Sequence, residues 1–163
     1  MKQKIKKTRS GLAEKLKNAV QNLNVDVFGY ESKVTKNILR YFSKLSKETD
    51  LVQEELVVRI FKDWLTINVA VYNQGRPVKK ISVKELITLF TNSEPSGLFN
   101  LEAKVVRGIE NFMSELSDNH HIEVEQLQIC IVASSDKVWV KGYKGLTHIQ
   151  DIPLGVLIKH FTQ

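Results

Sequence analysis

The sequence predicts an α+β fold: a tandem duplication of an α-β-β-β-α unit, forming a pseudo-twofold, dimer-like body with an extra N-terminal helix. Three observations predict it. The chain aligns with itself at an offset of 71 positions without a gap. Within each copy, apolar residues recur at helical spacing at the two ends and alternate in between, as strands require. The excess of basic charge sits ahead of both copies.

Setting 28–92 above 99–163 gives 18 identities in 65 pairs. They include Val34/Val105, Ile38/Ile109, Ser46/Ser117, Leu56/Leu127, Ile60/Ile131, Val69/Val140, Tyr72/Tyr143 and Leu86/Leu157. Apolar mismatches are mostly conservative, as in Tyr41/Phe112, Val58/Ile129 and Ile67/Val138. A single register kept over so many apolar positions marks a repeat.

The first helix of the unit carries Tyr30, Val34, Ile38, Tyr41, Phe42 and Leu45; its counterpart carries Leu101, Val105, Ile109, Phe112, Met113 and Leu116. Each set forms one apolar stripe with charge opposite, the pattern of a helix that faces a core. Asn100 suits an N-cap. Two strands follow. Leu56, Val58 and Ile60 share one face, repeated by Leu127, Ile129 and Ile131; Ile67, Val69 and Val71 share another, as do Val138 and Val140. A shorter third strand is expected near 78–81 and near 149–152, after turns marked by Gly75 and Gly145. Ser82-Val83-Lys84-Glu85 reads as a capping box for the last helix, and Pro153 takes the place of Ser82 in the second copy. Leu86, Ile87 and Phe90, and likewise Leu157, Ile158 and Phe161, face the core. The linker 91–98, with Pro95, Ser96 and Gly97, reads as irregular.

The organisation is therefore a basic arm and docking helix over 1–27, one repeat over 28–92 and a second over 99–163, packed as one globular body. A 65-residue unit has a marginal core by itself, which favours one body over two beads. The halves are expected to pair through sheet edges or through their first helices, as an ancestral homodimer fused into one chain does.

Charge is uneven. Residues 1–23 hold seven basic residues and one acid, a net of +6, while the remaining chain holds 17 of each sign. The first repeat has 11 basic and 7 acidic residues, the second 6 and 8. Five basic residues, Lys2, Lys4, Lys6, Lys7 and Arg9, form an arm that is expected to meet phosphates. Ser10 caps a helix over 11–23 whose stripe of Leu12, Leu16, Ala19, Val20 and Leu23 docks on the body. That stripe lacks the Trp or Phe anchors of a membrane-surface helix. No apolar run is long enough to span a membrane. The basic N-terminus has no apolar segment behind it to make a secretory signal. With one cysteine, Cys130, the expected setting is reducing and cytoplasmic.

The sheet face away from the helices is expected to show Val57, Arg59, Phe61, Asn68, Ala70 and Tyr72 from one copy. The other copy adds Gln128, Cys130, Val132, Trp139, Lys141 and Tyr143. Aromatic rings among cations can stack bases and hold phosphates. The same apolar content also suits a covered protein interface. The α-β-β-β-α order is similar to that of several nucleic-acid-associated folds: double-stranded-RNA-binding domains, the Alu-domain proteins of the signal recognition particle and small bacterial nucleoid-associated proteins. The likeness is one of element order, and none of their diagnostic motifs is present.

No phosphate-binding glycine loop, nucleophile elbow, HExxH or CxxC occurs. His120 and His121 are adjacent, a spacing that does not converge on a metal, and are expected in a solvated loop. Cys130, mid-strand, reads as a buried structural thiol. No catalytic residue, metal or cofactor is expected. The leading expectation is a non-enzymatic protein binding DNA or RNA through the arm and the first repeat, with Arg59, Lys79, Lys80 and Lys141 as the cations of the body. The alternative is a protein-interaction or assembly subunit that uses the face of Phe61, Tyr72, Trp139 and Tyr143.

Overall fold

The computed structural model describes residues 30–91 and 99–162 of the 163, with side chains at 30–90 and 102–160. The arm cations Lys2, Lys4, Lys6, Lys7 and Arg9, the helix expected over 11–23 and the linker at Pro95 lie outside the described residues. Val34–Gln163 forms one compact unit. Helix α1 spans 30–49. It is followed by β1 Leu56–Lys62, β2 Ile67–Asn73, β3 Arg76–Ile81 and α2 Val83–Thr91. Then come α3 Phe99–His120, β4 Leu127–Ser134, β5 Lys137–Lys144, β6 Thr147–Ile152 and α4 Leu154–Thr162. The fold is α+β, with one antiparallel six-stranded sheet in the order β3-β2-β1-β4-β5-β6. Among the described residues no helix is long and apolar enough to cross a membrane.

Strand alternation builds the core. Leu56, Val58, Ile60, Val69, Val71, Leu127, Ile129, Ile131 and Val140 are all buried on the helix-bearing face. The helical stripes meet them. Val34, Ile38, Phe42 and Leu45 of α1 and Val105, Ile109, Phe112, Met113 and Leu116 of α3 are buried. So are Leu86, Ile87 and Phe90 of α2 and Leu157 and Ile158 of α4. Fully burying one such side chain contributes about 1.5–3 kcal/mol relative to leaving it in water. Helix α3 packs on α2, α4 and β2, and its Glu110 pairs with Lys62 of β1 at 3.3 Å. Asn37 of α1 donates to the Leu89 carbonyl of α2 at 3.3 Å.

The sheet is continuous because β1 pairs with β4. Val57 opposes Val132, Arg59 opposes Cys130 and Phe61 opposes Gln128. The sheet edges, one of the two expected joints, therefore connect the two aligned segments. The β1–β2 register, Leu56 opposite Asn73, recurs 71 positions later as Leu127 opposite Lys144. Each outer hairpin also carries a bulge, at Val71/Tyr72 and at Gly142/Tyr143.

The turns and caps account for several sequence identities. The Ser46 hydroxyl donates to the Leu51 carbonyl after α1, and Ser117 does the same to Ile122 after α3. Asp50 (φ 59°) and His121 (φ 56°) take the left-handed conformation just past each helix, and Ile122 N–H reaches back to Ser117 O at 3.0 Å. Ser82 caps α2 by accepting from Glu85 N–H at 3.1 Å. Pro153 precedes α4, where its carbonyl accepts from Val156 N–H at 3.0 Å. Gln74 (φ 51°) and Gly75 (φ 82°) both take positive φ in the two-residue β2–β3 turn, the requirement of a type I′ hairpin. That tight turn lets β3 begin at Arg76, two residues before the expected start.

One difference concerns the histidines. His120 is not in a solvated loop: α3 extends through it, and its Nε2 lies 2.7 Å from Gln150 Oε1 of β6. The helix stops there because His121 takes the left-handed conformation, as Asp50 does at the aligned position after α1.

Two further details yield tests. The Tyr41 hydroxyl is buried with no hydrogen-bond partner. Burial, then the nearby Glu85 and Glu48 carboxylates, push its pKa up to about 12. The aligned position holds Phe112. Tyr41→Phe removes an unsatisfied group and is expected to leave stability unchanged or raise it by up to about 1 kcal/mol; a loss above about 1 kcal/mol in urea unfolding would reveal a bond the hydroxyl does make.

At the β1–β2 tip, Asp63 Oδ1 accepts from the N–H groups of Thr66 (2.7 Å) and Leu65 (3.0 Å), and Oδ2 accepts from Asn68 Nδ2 (3.0 Å). Donors that favour the carboxylate lower its pKa to about 2, the Thr66 amide first. The stabilisation is thus fully present above the ordinary aspartate value, about 4, and is lost as pH falls through about 2. The amide shifts of Leu65 and Thr66 are expected to titrate with the lower midpoint; a midpoint at the ordinary value contradicts this arrangement.

Candidate functional site

The sheet has a second face, opposite the described helices, and the registers define its layout. Its middle row runs Lys80–Ala70–Arg59–Cys130–Lys141–Asp151 across all six strands. On one side lies Tyr72–Val57–Val132–Trp139, and on the other Asn68–Phe61–Gln128–Tyr143–His148. The face thus sets a row containing three cations between two rows that each carry two of the aromatic residues Phe61, Tyr72, Trp139 and Tyr143. Arg59, Lys80 and Lys141 share this face because they belong to one cross-strand row, and directly opposed residues project to the same side of a sheet. Lys79 is not part of it. It opposes Val71, which places it on the helix-bearing side of the exposed β3 edge.

The cations differ in their surroundings. The Arg59 guanidinium lies 4.3 Å from the Tyr72 ring centroid, a cation–π contact. Its Nε is buried without a hydrogen-bond partner. Neither Arg59 nor Lys141 is in an ion pair with a carboxylate among the described residues. Asp151, opposite Lys141, is engaged by His148 Nε2 at 2.8 Å. Lys80 is exposed. Trp139 is 48% exposed and has the Lys137 ammonium 5.9 Å from its ring.

Cys130 is buried, and burial pushes its thiol up to about 11 against the opposing pull of Arg59. It is therefore protonated at neutral pH and a poor nucleophile. A cavity of about 200 Å³ opens on this face, lined by Arg59, Gln128, Cys130, Lys141, Tyr143 and Leu146 among others.

The most exposed of the large apolar residues were not singled out by strand alternation: Trp64 (78%), Leu65 (67%) and Leu146 (91%). They lie at one end of the sheet, where the tip after β1 meets the turn after β5. Their only signal in the sequence is their position inside turns, where no buried face exists to receive them. The two adjacent histidines diverge, His120 toward Gln150 and His121 into the turn after α3.

Comparison with family models, curated proteins and solved structures finds no match for the chain.

Proposed function

We propose that this chain is a duplicated, pseudo-twofold, non-enzymatic binding protein that associates with nucleic acid through the sheet face opposite its described helices and its basic N-terminal arm. The duplication is supported by the gap-free alignment together with equal registers and bulges 71 positions apart. In that arrangement the pseudo-twofold passes between Arg59 and Cys130, which are both ladder partners and repeat equivalents.

The observation that carries the nucleic-acid reading is the central row. Arg59 and Lys141 line one cavity without a carboxylate partner among the described residues, beside aromatic rings. Cations left unneutralised next to π faces suit a ligand that offers phosphates and bases together. The arm, with Lys2, Lys4, Lys6, Lys7 and Arg9, supplies further sequence-independent attraction. The experiment is a titration of labelled RNA and DNA with the full chain at low salt, repeated with Arg59→Gln and Lys141→Gln. Binding that weakens in both variants supports the reading. Absence of binding by the unaltered chain removes it.

A second reading has an observation of its own. Trp64, Leu65 and Leu146 expose apolar surface at one end of the sheet, which suits a protein partner in an assembly. Loss of a co-purifying partner in Trp64→Ser, with nucleic-acid binding unchanged, would support it.

A further inference from the structure

The two halves differ where they meet. Arg59 and Cys130 occupy positions 71 apart and oppose each other in the central ladder. On one side of this pair the guanidinium covers the Tyr72 ring at 4.3 Å. On the other side the corresponding residue is a thiol, too short to cover Tyr143. The cavity of about 200 Å³ lies on that side, lined by Arg59, Cys130, Tyr143, Lys141, Gln128 and Leu146 among others. His148 meets Tyr143 in a T-shaped contact at 5.6 Å, which holds the ring. The volume is below the roughly 300–1,000 Å³ of pockets that enclose a drug-sized ligand and suits one planar ring system.

We propose that this cavity receives a single unstacked nucleobase against Tyr143, with Arg59 and Lys141 meeting the adjoining phosphates, so that the chain prefers single-stranded nucleic acid to duplex. The proposal rests on the nucleic-acid reading above. It follows from the chemistry of the lining. A π face, the amide of Gln128 for a base edge, and two cations without carboxylate partners among the described residues match a nucleotide part by part. A duplex keeps its bases stacked within itself and cannot present one to Tyr143 without extruding it.

The test uses the full chain and fluorescence anisotropy with a short labelled oligouridylate and a duplex of equal length. Single strand is expected to bind more tightly than duplex. Tyr143→Ala is expected to weaken single-strand binding by about 5- to 150-fold, the range for loss of one base stack, whereas Tyr143→Phe retains it. Tyr72→Ala, whose ring is already covered by Arg59, is expected to weaken binding by less than about threefold, well below that range. Cys130→Met, which puts a larger side chain at a lining position of the cavity, is expected to weaken binding while the protein stays folded by circular dichroism. Equal losses at Tyr72 and Tyr143, or no loss at Tyr143, overturn the proposal while leaving the nucleic-acid reading in place. No binding to either probe overturns both. If free uridine monophosphate binds as tightly as the strand, the site belongs to a free nucleotide and the single-strand assignment falls.

Discussion

Ile109→Ala is expected to destabilise the protein by about 2–5 kcal/mol, the range for truncating a buried isoleucine. Ile109 is fully buried at the middle of the α3 stripe, on a helix that packs on α2, α4 and β2, so the space left cannot collapse by moving one loop. Ile38→Ala, at the aligned position of α1, is expected to cost a similar amount. Both variants are also expected to shift one shared unfolding transition, since a single sheet runs through both halves. Urea unfolding followed by circular dichroism and by tryptophan fluorescence checks this. Two resolved transitions, with only one displaced by each variant, would mean that the halves unfold independently in spite of the β1–β4 pairing.

Deleting residues 1–9 is expected to have the largest effect on binding. The five cations of that segment can release counterions from five phosphates, a change in the slope of log affinity against log salt of up to about 4.5 for duplex DNA. The loss is expected to be uniform across sequences, because phosphate contacts carry no base information. The thermal transition of the body is expected to stay in place. Titrations at several salt concentrations with full-length and shortened chains measure the slope. An unchanged slope assigns the electrostatic attraction to the body, with Arg59, Lys80 and Lys141 as the residues to neutralise next.

Much of the fold was legible because burial writes itself as periodicity. The stripe through Val34, Ile38, Phe42 and Leu45 and the alternation of Leu56, Val58 and Ile60 each have one physical cause, a single face turned to the core. Ser82 was legible as a cap because its hydroxyl and the Glu85 amide are three residues apart. Long-range pairing was not legible in the same way. Nothing local in β1 or β4 states that their edges meet, since that choice depends on how two distant segments present unpaired N–H and C=O groups. The site shows the same division. Alternation put Arg59 and Lys141 on one face, but only the ladder register separates Lys79 from Lys80. The cavity beside Tyr143 arises from a difference between two aligned positions, which becomes meaningful only once they are neighbours. The place of His120 in the helix was not legible because the helix is ended by a left-handed histidine at 121, where a glycine would have marked the stop.

The central ladder also governs how the chain reaches its final state. Phe61 opposes Gln128 and Val57 opposes Val132, so the pair closes a loop of about seventy residues, whereas every other pair in the sheet is a local hairpin. Local meanders form on the microsecond scale, and the long closure follows because its entropic cost precedes its reward. Until it closes, the β1 and β4 edges each present unpaired backbone groups. Those edges are mutually complementary, so β1 of one molecule can accept β4 of another. At high concentration during refolding, the competing product is therefore an exchanged dimer with the same ladder made between chains, and dilution during refolding favours the monomer.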